Sequence, residues 1–592
     1  MLVSLLRSFA RTGAAAVPAL AILLYGAPAR ADDGRDPGVA RLSVLAGEVD
    51  IKRADSDDSF AGALNAPVSP GDYLTTQDDS RAEVELDYGA ALRVAPNTQL
   101  RFTQLAPQTH QLQLAVGTVE LRVFRGLEAH PEVETPSASV RPDAHGSYRV
   151  TVTEDGNTQV TVRAGQADVA TASGVQTIGP GATLVVTGSG NAAQFATLAA
   201  VPLDAFDRFN DDRDAFIARA RDDRYVDAGM VGADDLDQYG HWIDAPSYGQ
   251  VWVPSEQDTG WAPYHDGRWV WTPYYGWTWV GYEPWGWAPY HYGNWFYAAG
   301  TGWCWYPGAY AIARPYVYRP ALVAFFSFGG GVGPSLAFGN VGWVPVAPFE
   351  PFRPWWGGGG WGYGGTTIVN NTTVVNINNV YRNAGAPGGA VAVSSGNFSS
   401  GNFSHVQPVT PAELRTVEPV HGVVPIVPTT HNLAFNPSRL APVAAPLADA
   451  RFAHFAPPPR APQPFVAQRA AVATTAQKTY PERANFFSTQ AHPQTVPPKF
   501  GSPANATGSS DPWSRFNAPP RQNPSTPSYA EPKTYVAPKT YVPPSTYVAP
   551  KTSVAPKTYV APKSFVAPKT SNGTSHPAHP SKSAHDKEKT KT

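Results

Sequence analysis

Between residues 239 and 306 the chain carries 23 aromatic side chains in 68 positions, and 12 of its 17 tryptophans fall there. Such a segment has few ways to fold. Each Trp or Tyr buries about 150–250 Å², so a few tens of residues can build a core without aliphatic chains. Prolines recur through it, in Trp252-Val253-Pro254, Trp271-Thr272-Pro273 and Trp305-Tyr306-Pro307. Proline breaks helices and central strands alike, and no 3.6-residue period survives. The pattern predicts a small, irregular β module over 225–308, made of short strands and turns with rings packed on rings and on prolines.

A nine-residue unit, Trp261-Ala262-Pro263-Tyr264-His265-Asp266-Gly267-Arg268-Trp269, returns at Trp287-Ala288-Pro289-Tyr290-His291-Tyr292-Gly293-Asn294-Trp295. For any single indole, core packing is the commoner fate. Trp is seldom completely buried, however, and exposed aromatics mark interaction sites. Trp261, Tyr264, Trp269, Trp287, Tyr290 and Trp295 are therefore the candidate ligand contacts. Their flat faces suit a sugar ring or a Pro-rich peptide. His265 and His291, at equivalent repeat positions, read as hydrogen-bonded packing residues rather than bases.

Before this module, over 40–188, the period is two. Val84 and Leu86 alternate with Glu83, Glu85 and Asp87; Leu112, Leu114 and Val116 alternate with Gln111, Gln113 and Ala115. Tyr148, Val150, Val152, Val160 and Val162 continue the pattern, with turns such as Pro70-Gly71-Asp72 and Glu154-Asp155-Gly156-Asn157 between runs. One apolar and one polar face predict half-buried antiparallel strands. Sandwich, roll and short solenoid all remain open. Between the two lies one amphipathic linking helix over 200–224: Leu203, Phe206, Phe209, Phe216 and Ile217 recur at helical spacing, with Pro202 at its start. Its Asp207, Asp211, Asp212 and Asp214 read as a solvated face, since no calcium-loop spacing is present.

Two resemblances rest on these residues. Pro70-Gly71-Asp72-Tyr73-Leu74, Arg81-Ala82-Glu83-Val84-Glu85-Leu86-Asp87-Tyr88-Gly89, Leu114-Ala115-Val116-Gly117-Thr118-Val119 and Gly179-Pro180-Gly181 resemble the FecR-type periplasmic domain. Type members of that family signal across the inner membrane, using a cytoplasmic segment and a membrane helix that are not recognisable here. The aromatic module, through Leu236-Asp237-Gln238-Tyr239-Gly240-His241-Trp242, Pro246-Ser247-Tyr248-Gly249-Gln250-Val251-Trp252 and Glu283-Pro284-Trp285-Gly286-Trp287, resembles the DUF6600-type family of exported bacterial proteins, where it follows a FecR-like domain. That resemblance implies architecture and location but no reaction. The family pattern often has Arg where this chain has Asn294. Tyr381-Arg382-Asn383 extends the likeness toward residue 408.

The termini set the location. Arg7 and Arg11 precede an apolar run, Ala14 to Tyr25, and Ala29-Arg30-Ala31 supplies a small-x-small cleavage pattern, so 1–31 reads as a signal peptide. No later run is long and apolar enough for an integral membrane span. The expected location is periplasmic or extracellular. Residues 309–408 are a Gly/Asn-rich extension. Residues 409–592 are Pro-rich with few large aliphatics, and are expected to be disordered; six-residue repeats such as Tyr535-Val536-Ala537-Pro538-Lys539-Thr540 favour polyproline II.

The function classes narrow accordingly. A formal charge of −2 gives no bulk electrostatic case for nucleic acid. One Cys removes an internal disulfide framework and a Cys-built zinc site. No nucleophile elbow, His-Glu-x-x-His or phosphate loop occurs. The expectation is a non-enzymatic envelope interaction or scaffold protein without catalytic residues, metal or cofactor, its partner an envelope glycan or a protein. The alternatives are a wall-polymer hydrolase using Asp266 and Glu283, with Asp258 a further candidate acid, and a FecR-like regulatory role. Oligomeric state is open.

Overall fold

The computed structural model describes residues 38–479, apart from breaks at 309–316, 329–338, 357–380, 437–451 and 455–460 and shorter ones of up to five residues. The signal sequence and the six-residue repeats lie outside the described residues, as does Asp258.

The fold is mainly β, and the alternating segment closes as a two-sheet sandwich. One sheet runs in space through Pro67–Val68, Ala40–Ala46, Arg81–Leu86, Ala90–Val94, Thr109–Val123, Gly146–Val152, Thr158–Ala164, Ala182–Thr187 and Gln194–Ala199. The other runs through Ser59–Ala61, Val49–Lys52, Tyr73–Thr76, Gln99–Ala106, again Thr109–Val123, then His130–Glu134, Ser139–Pro142, Ala167–Thr171 and Gly174–Ile178. The 15-residue strand Thr109–Val123 serves both sheets, its first half in one and its second half in the other. Leu42, Val84, Leu121, Tyr148, Val150 and Val162 of the first sheet meet Ile51, Leu74, Phe102, Leu112 and Val133 of the second in one aliphatic core. The period-two residues thus point where alternation requires.

The linking helix is Ala205–Arg219, 15 residues long and nearly three turns shorter than its sequence span of 200–224. Asp204 caps it, its side chain accepting from the Phe206 and Asp207 amides while Asp207 returns the bond. Asp211 and Asp212 are exposed, but Asp207 and Asp214 are not part of a solvated face. Arg149 pairs with Asp204 and Asp207 at 2.7 Å each, Arg163 with Asp207 at 3.1 Å, and Arg93 and Arg122 with Asp214 at 2.7 and 2.5 Å. Arg213 of the helix reaches Glu83 at 2.7 Å. The helix lies on the outward side of the first sheet and turns Asp207, Arg213 and Asp214 toward it through ion pairs. Leu203, read as part of the apolar stripe, is exposed. Burial alone would raise the Glu83 carboxyl, but Arg213 and Arg93 hold it below its ordinary value. An alternation pattern gives the side of a sheet and not what covers it, which is why the acid-rich helix and the Arg-bearing sheet face look solvated in sequence.

The aromatic module consists of the four-stranded sheet Gly240–Ala245, Gly249–Pro254, Gly302–Tyr306, Asn294–Ala298, the hairpin Gly267–Thr272 with Gly276–Gly281, and a five-stranded sheet with Asn340–Pro345 at its centre. Its core does not stop at residue 308. Val323, Phe325, Trp343, Val391, Phe398, Val424, Ile426, Leu433 and the helix Phe465–Thr479 pack into the same cluster as Trp252, Trp269 and Trp279. The expected disorder from 409 onward therefore fails for 409–436 and 461–479. Few large aliphatics suffice there, because each meets an indole surface already in place.

The hairpin 267–281 explains how two cores coexist. Trp269 faces Trp279 and Trp271 faces Trp277 across the ladder, all on one side. Val270 and Val280, on the other side, belong to the aliphatic core of the sandwich. The seam is closed by polar ties. Asn65 Nδ2 donates to Gly281 O and Glu283 O at 3.1 and 2.8 Å, Arg41 Nη2 to Pro284 O at 3.0 Å and Arg53 Nη1 to Trp271 O at 3.0 Å. Trp271 Nε1 donates to Gln468 Oε1 at 2.9 Å, and Gln468 Nε2 to Asp55 Oδ2 at 3.0 Å.

Candidate functional site

The repeat residues go inward. Tyr264, Trp269, Trp287, Tyr290 and Trp295 are buried, and only Trp261 keeps part of its ring open. These six do not form an open stacking platform. Trp261 packs edge-on against Trp295 at 5.7 Å and tilted against Trp285 at 5.8 Å. Trp269 meets Trp279, Phe325, Trp343 and Trp355 within 4.8–5.9 Å. The two repeat copies also differ in backbone. Tyr264 sits in a turn at φ 64°, whereas Tyr290 lies in the short helix Trp287–His291. Tyr264 Oη donates to Tyr290 O at 2.9 Å, tying one copy to the other.

Proline and tryptophan are interleaved for a reason that the hydrogen bonds show. Chain segments outside a ladder leave carbonyls free, and indole N–H groups take them. Trp295 Nε1 donates to Pro289 O at 2.9 Å, Trp305 to Tyr292 O at 2.8 Å, and Trp343 to Tyr264 O at 3.0 Å. The buried indole nitrogens of Trp269, Trp277, Trp279 and Trp287 have no acceptor.

The titratable candidates are placed as follows. His265 Nε2 donates to Gly388 O at 2.8 Å and His291 Nδ1 to Arg319 O at 2.7 Å, which fixes both rings by backbone. Burial pushes His265 down and His291 down to about 3, so both are neutral. Burial raises Glu283 to about 8; Tyr290 Oη donates to its Oε1 at 2.6 Å. Asp266 is exposed, and partial desolvation raises it. Asn294, where the family pattern often has Arg, donates from Nδ2 to Val346 O at 3.0 Å and so fastens a strand.

An open aromatic cluster does exist, on the far side of the four-stranded sheet. Trp242, Trp252, Trp305 and Trp295 share the inner face, since they are register partners. Alternation sends Ile243, Val251, Val253, Phe296 and Cys304 to the other side, where they form a small separate cluster. Over it lies Tyr248, stacked on Phe296 at 4.3 Å, with Tyr306 at 5.8 Å. Phe349 lies beside them, its ring nearly parallel to Tyr248 (6°) at 6.2 Å and 68% exposed.

Phe349 adopts φ 67°, a left-handed conformation that a bulky residue rarely takes and that costs about 1–2 kcal/mol. Its neighbours hold the turn there. Glu350 Oε2 accepts from the Ala347 amide at 2.9 Å, and Glu350 Oε1 accepts from Arg382 N and Nε at 2.7 and 3.1 Å. Arg382 Nη2 donates to Pro348 O at 2.6 Å, and Nη1 to Tyr248 Oη at 3.0 Å. The exposed ring is thus set in place rather than left over. Sequence reasoning passed over Phe349, which sits in Pro348-Phe349-Glu350-Pro351 beyond the aromatic-dense segment. The available signal was the isolated Tyr381-Arg382-Asn383 motif, whose arginine is the clamp.

Residues 72–168 match the family described as FecR protein, and residues 233–350 match a family of unknown function, DUF6600. A FecR domain is followed by a DUF6600 domain. The DUF6600 match takes in Tyr248, Tyr306 and Phe349, and Arg382 lies beyond it. No curated protein matches the chain. Two crystal structures of a protein described provisionally as an anti-sigma factor, from Parabacteroides distasonis ATCC 8503, are similar at 21% and 20% identity, each with a TM-score of 0.19. The match spans 22% of this chain and 59% of those chains, and nothing about ligand or partner follows from a likeness of that size. Among the described residues no helix is long and apolar enough to cross a membrane.

Proposed function

We propose that the protein is an exported, non-enzymatic envelope scaffold whose DUF6600 module binds an extended partner through Tyr248, Tyr306 and Phe349. The observation that carries this reading is the exposed, strained and clamped Phe349 ring beside the parallel Tyr248 ring. A Pro-rich peptide fits better than a glycan. Sugar hydroxyls need free polar groups beside the stacking ring, and here the Tyr248 hydroxyl and the Arg382 guanidinium are bonded to each other and to Glu350 and Pro348. Parallel apolar ridges are what a polyproline II segment packs against.

Calorimetric titration of the purified full chain with Pro-rich peptides, and separately with peptidoglycan fragments, tests the reading. Peptide binding that Phe349→Ala weakens about tenfold or more, an effect of about 1.4 kcal/mol, is the expected result. Glycan binding lost in the same variant would keep the site and change the ligand class. Binding of both that ignores Phe349→Ala would remove the site. A hydrolase reading has one observation in its favour, a carboxyl at Glu283 that is protonated at neutral pH while Asp266 is exposed. Release of soluble fragments from cell wall, abolished in Glu283→Gln, would establish it.

A further inference from the structure

The two ends of the FecR sandwich are unlike. At one end the terminal strands are Pro67–Val68 and Ser59–Ala61, only two and three residues long, and the DUF6600 module is fastened there through Asn65, Arg53 and Arg41. At the other end the terminal strands are Gly174–Ile178 and Gln194–Ala199, five and six residues long. Among the described residues neither pairs with anything on its outer side. Val175 and Leu198 are 60% and 58% exposed, and nearly every residue of Gln194–Ala199 faces solvent.

Long free edges are ordinarily blunted by Lys, Pro, a bulge or an inward charge. This end has none of these. From Val169 to Leu203 there is not one Asp, Glu, Lys, Arg or His, a run of 35 residues in a chain that is 16% charged. The register of Gln194–Ala199 on Ala182–Thr187 is continuous, and the prolines of the run, Pro180 and Pro202, lie outside the strands. Absence of charge matters most when a strand meets itself. In an antiparallel self-pair each residue faces a copy of a neighbour, and like charges so placed destabilise the pair.

We propose that this end is a homodimer interface, in which Gln194–Ala199 of one copy pairs antiparallel with the same strand of a second copy about a two-fold axis and continues the sheet across it. The two free strands, of five and six residues, put fewer residues at the seam than the roughly 20–30 a side of a standard interface, which suits a weak, concentration-dependent dimer. An isologous contact of this kind closes on itself, so the covered edges stop at two chains. A partner of strongly acidic or basic character has nothing here to recognise.

The test is sedimentation equilibrium of the full chain in its processed form, which reports mass independently of shape. A concentration-dependent dimer below about 100 μM is expected. Thr197→Lys, which sets two ammonium groups on diagonal positions across the axis, weakens it about tenfold or more with an unchanged far-ultraviolet spectrum. A monomer throughout, or a dimer indifferent to Thr197→Lys, overturns the proposal. Should the variant fold poorly, amide exchange of the unaltered protein decides. Protection of 194–199 that falls about tenfold on dilution supports the dimer. Exchange that ignores concentration overturns it, and protection at every dilution in a monomer would mean that another segment of the chain holds the edge.

Discussion

The sandwich and the aromatic module solve one problem with different materials. The sandwich packs Val, Leu and Ile from alternating strands, many small side chains set by one repeating rule. The module packs a few large rings, and its Trp252, Trp269, Trp277, Trp279, Trp287, Trp295, Trp303 and Trp305 are all fully buried. A core of alternating aliphatics needs long, regular strands to deliver its residues. A core of indoles tolerates short, Pro-broken segments, because each ring reaches several others. The difference also sets where polar cost falls. In the sandwich it lies in buried ion pairs under the linking helix, and in the module it lies in indole N–H groups that must find carbonyls.

The comparison breaks most sharply at its largest expected effect. Trp269→Ala should cost about 3–5 kcal/mol, since Trp269 touches five other rings. Because Val270 and Val280 of the same hairpin belong to the sandwich core, near- and far-ultraviolet melting should shift together in one transition. Two separated transitions would show that the cores are independent. Arg93→Met comes next. It strips a fully buried guanidinium from Glu83 and Asp214, and loss of one partner of a buried pair costs about 3–5 kcal/mol. Arg213 still holds Glu83, so the lower figure is expected in denaturant titration.

Acidity acts more gently, and on both regions. Burial raises Glu283 to about 8, so the folded protein keeps its proton while the unfolded chain loses it. Stability contributed by this group is therefore full below about pH 4.5 and falls as pH rises toward 8. Asp72, Glu120, Glu134 and Asp234, all raised by burial, act in the same direction. Glu283→Gln should flatten that fall by about 1–3 kcal/mol and leave the remainder. A slope unchanged in the variant would show that Glu283 is not held protonated. The smallest effect sharpens the indole argument. Trp305→Phe, which loses a bond to Tyr292 O, should cost about 1–3 kcal/mol more than Trp279→Phe, whose indole nitrogen has no acceptor. Equal costs would remove the reason given for interleaving Pro with Trp.

What the sequence made legible follows from the same contrast. Alternation placed Val84, Leu112, Val150 and Val162 in a core, since period two states a direction for every residue. It was silent on Glu83, Arg93 and Arg149, because what covers an outer face depends on a helix more than 50 positions away. Aromatic density announced a ring-packed module, but it could not separate Trp269, which is enclosed, from an exposed ring, because an indole suits either place. Tyr274, Tyr282 and Tyr297 of that segment are exposed as well, but the more exposed ring is Phe349, in a Pro-flanked stretch of modest composition, and the left-handed backbone that presents it leaves no mark on sequence. The tail reading failed at 409–436 and 461–479 because composition reports how much apolar surface a segment owns, and not how much its neighbours offer.

One tie described above governs order in time. Gln468 bridges Asp55 of the sandwich and Trp271 of the module, and it stands 413 positions along the chain from Asp55. That tie stays open until residue 468 has emerged, although the ties from Asn65, Arg41 and Arg53 need nothing beyond residue 284. A nascent chain halted short of that point would keep the indole of Trp271 without its amide partner, so the last lock on the body closes late in synthesis.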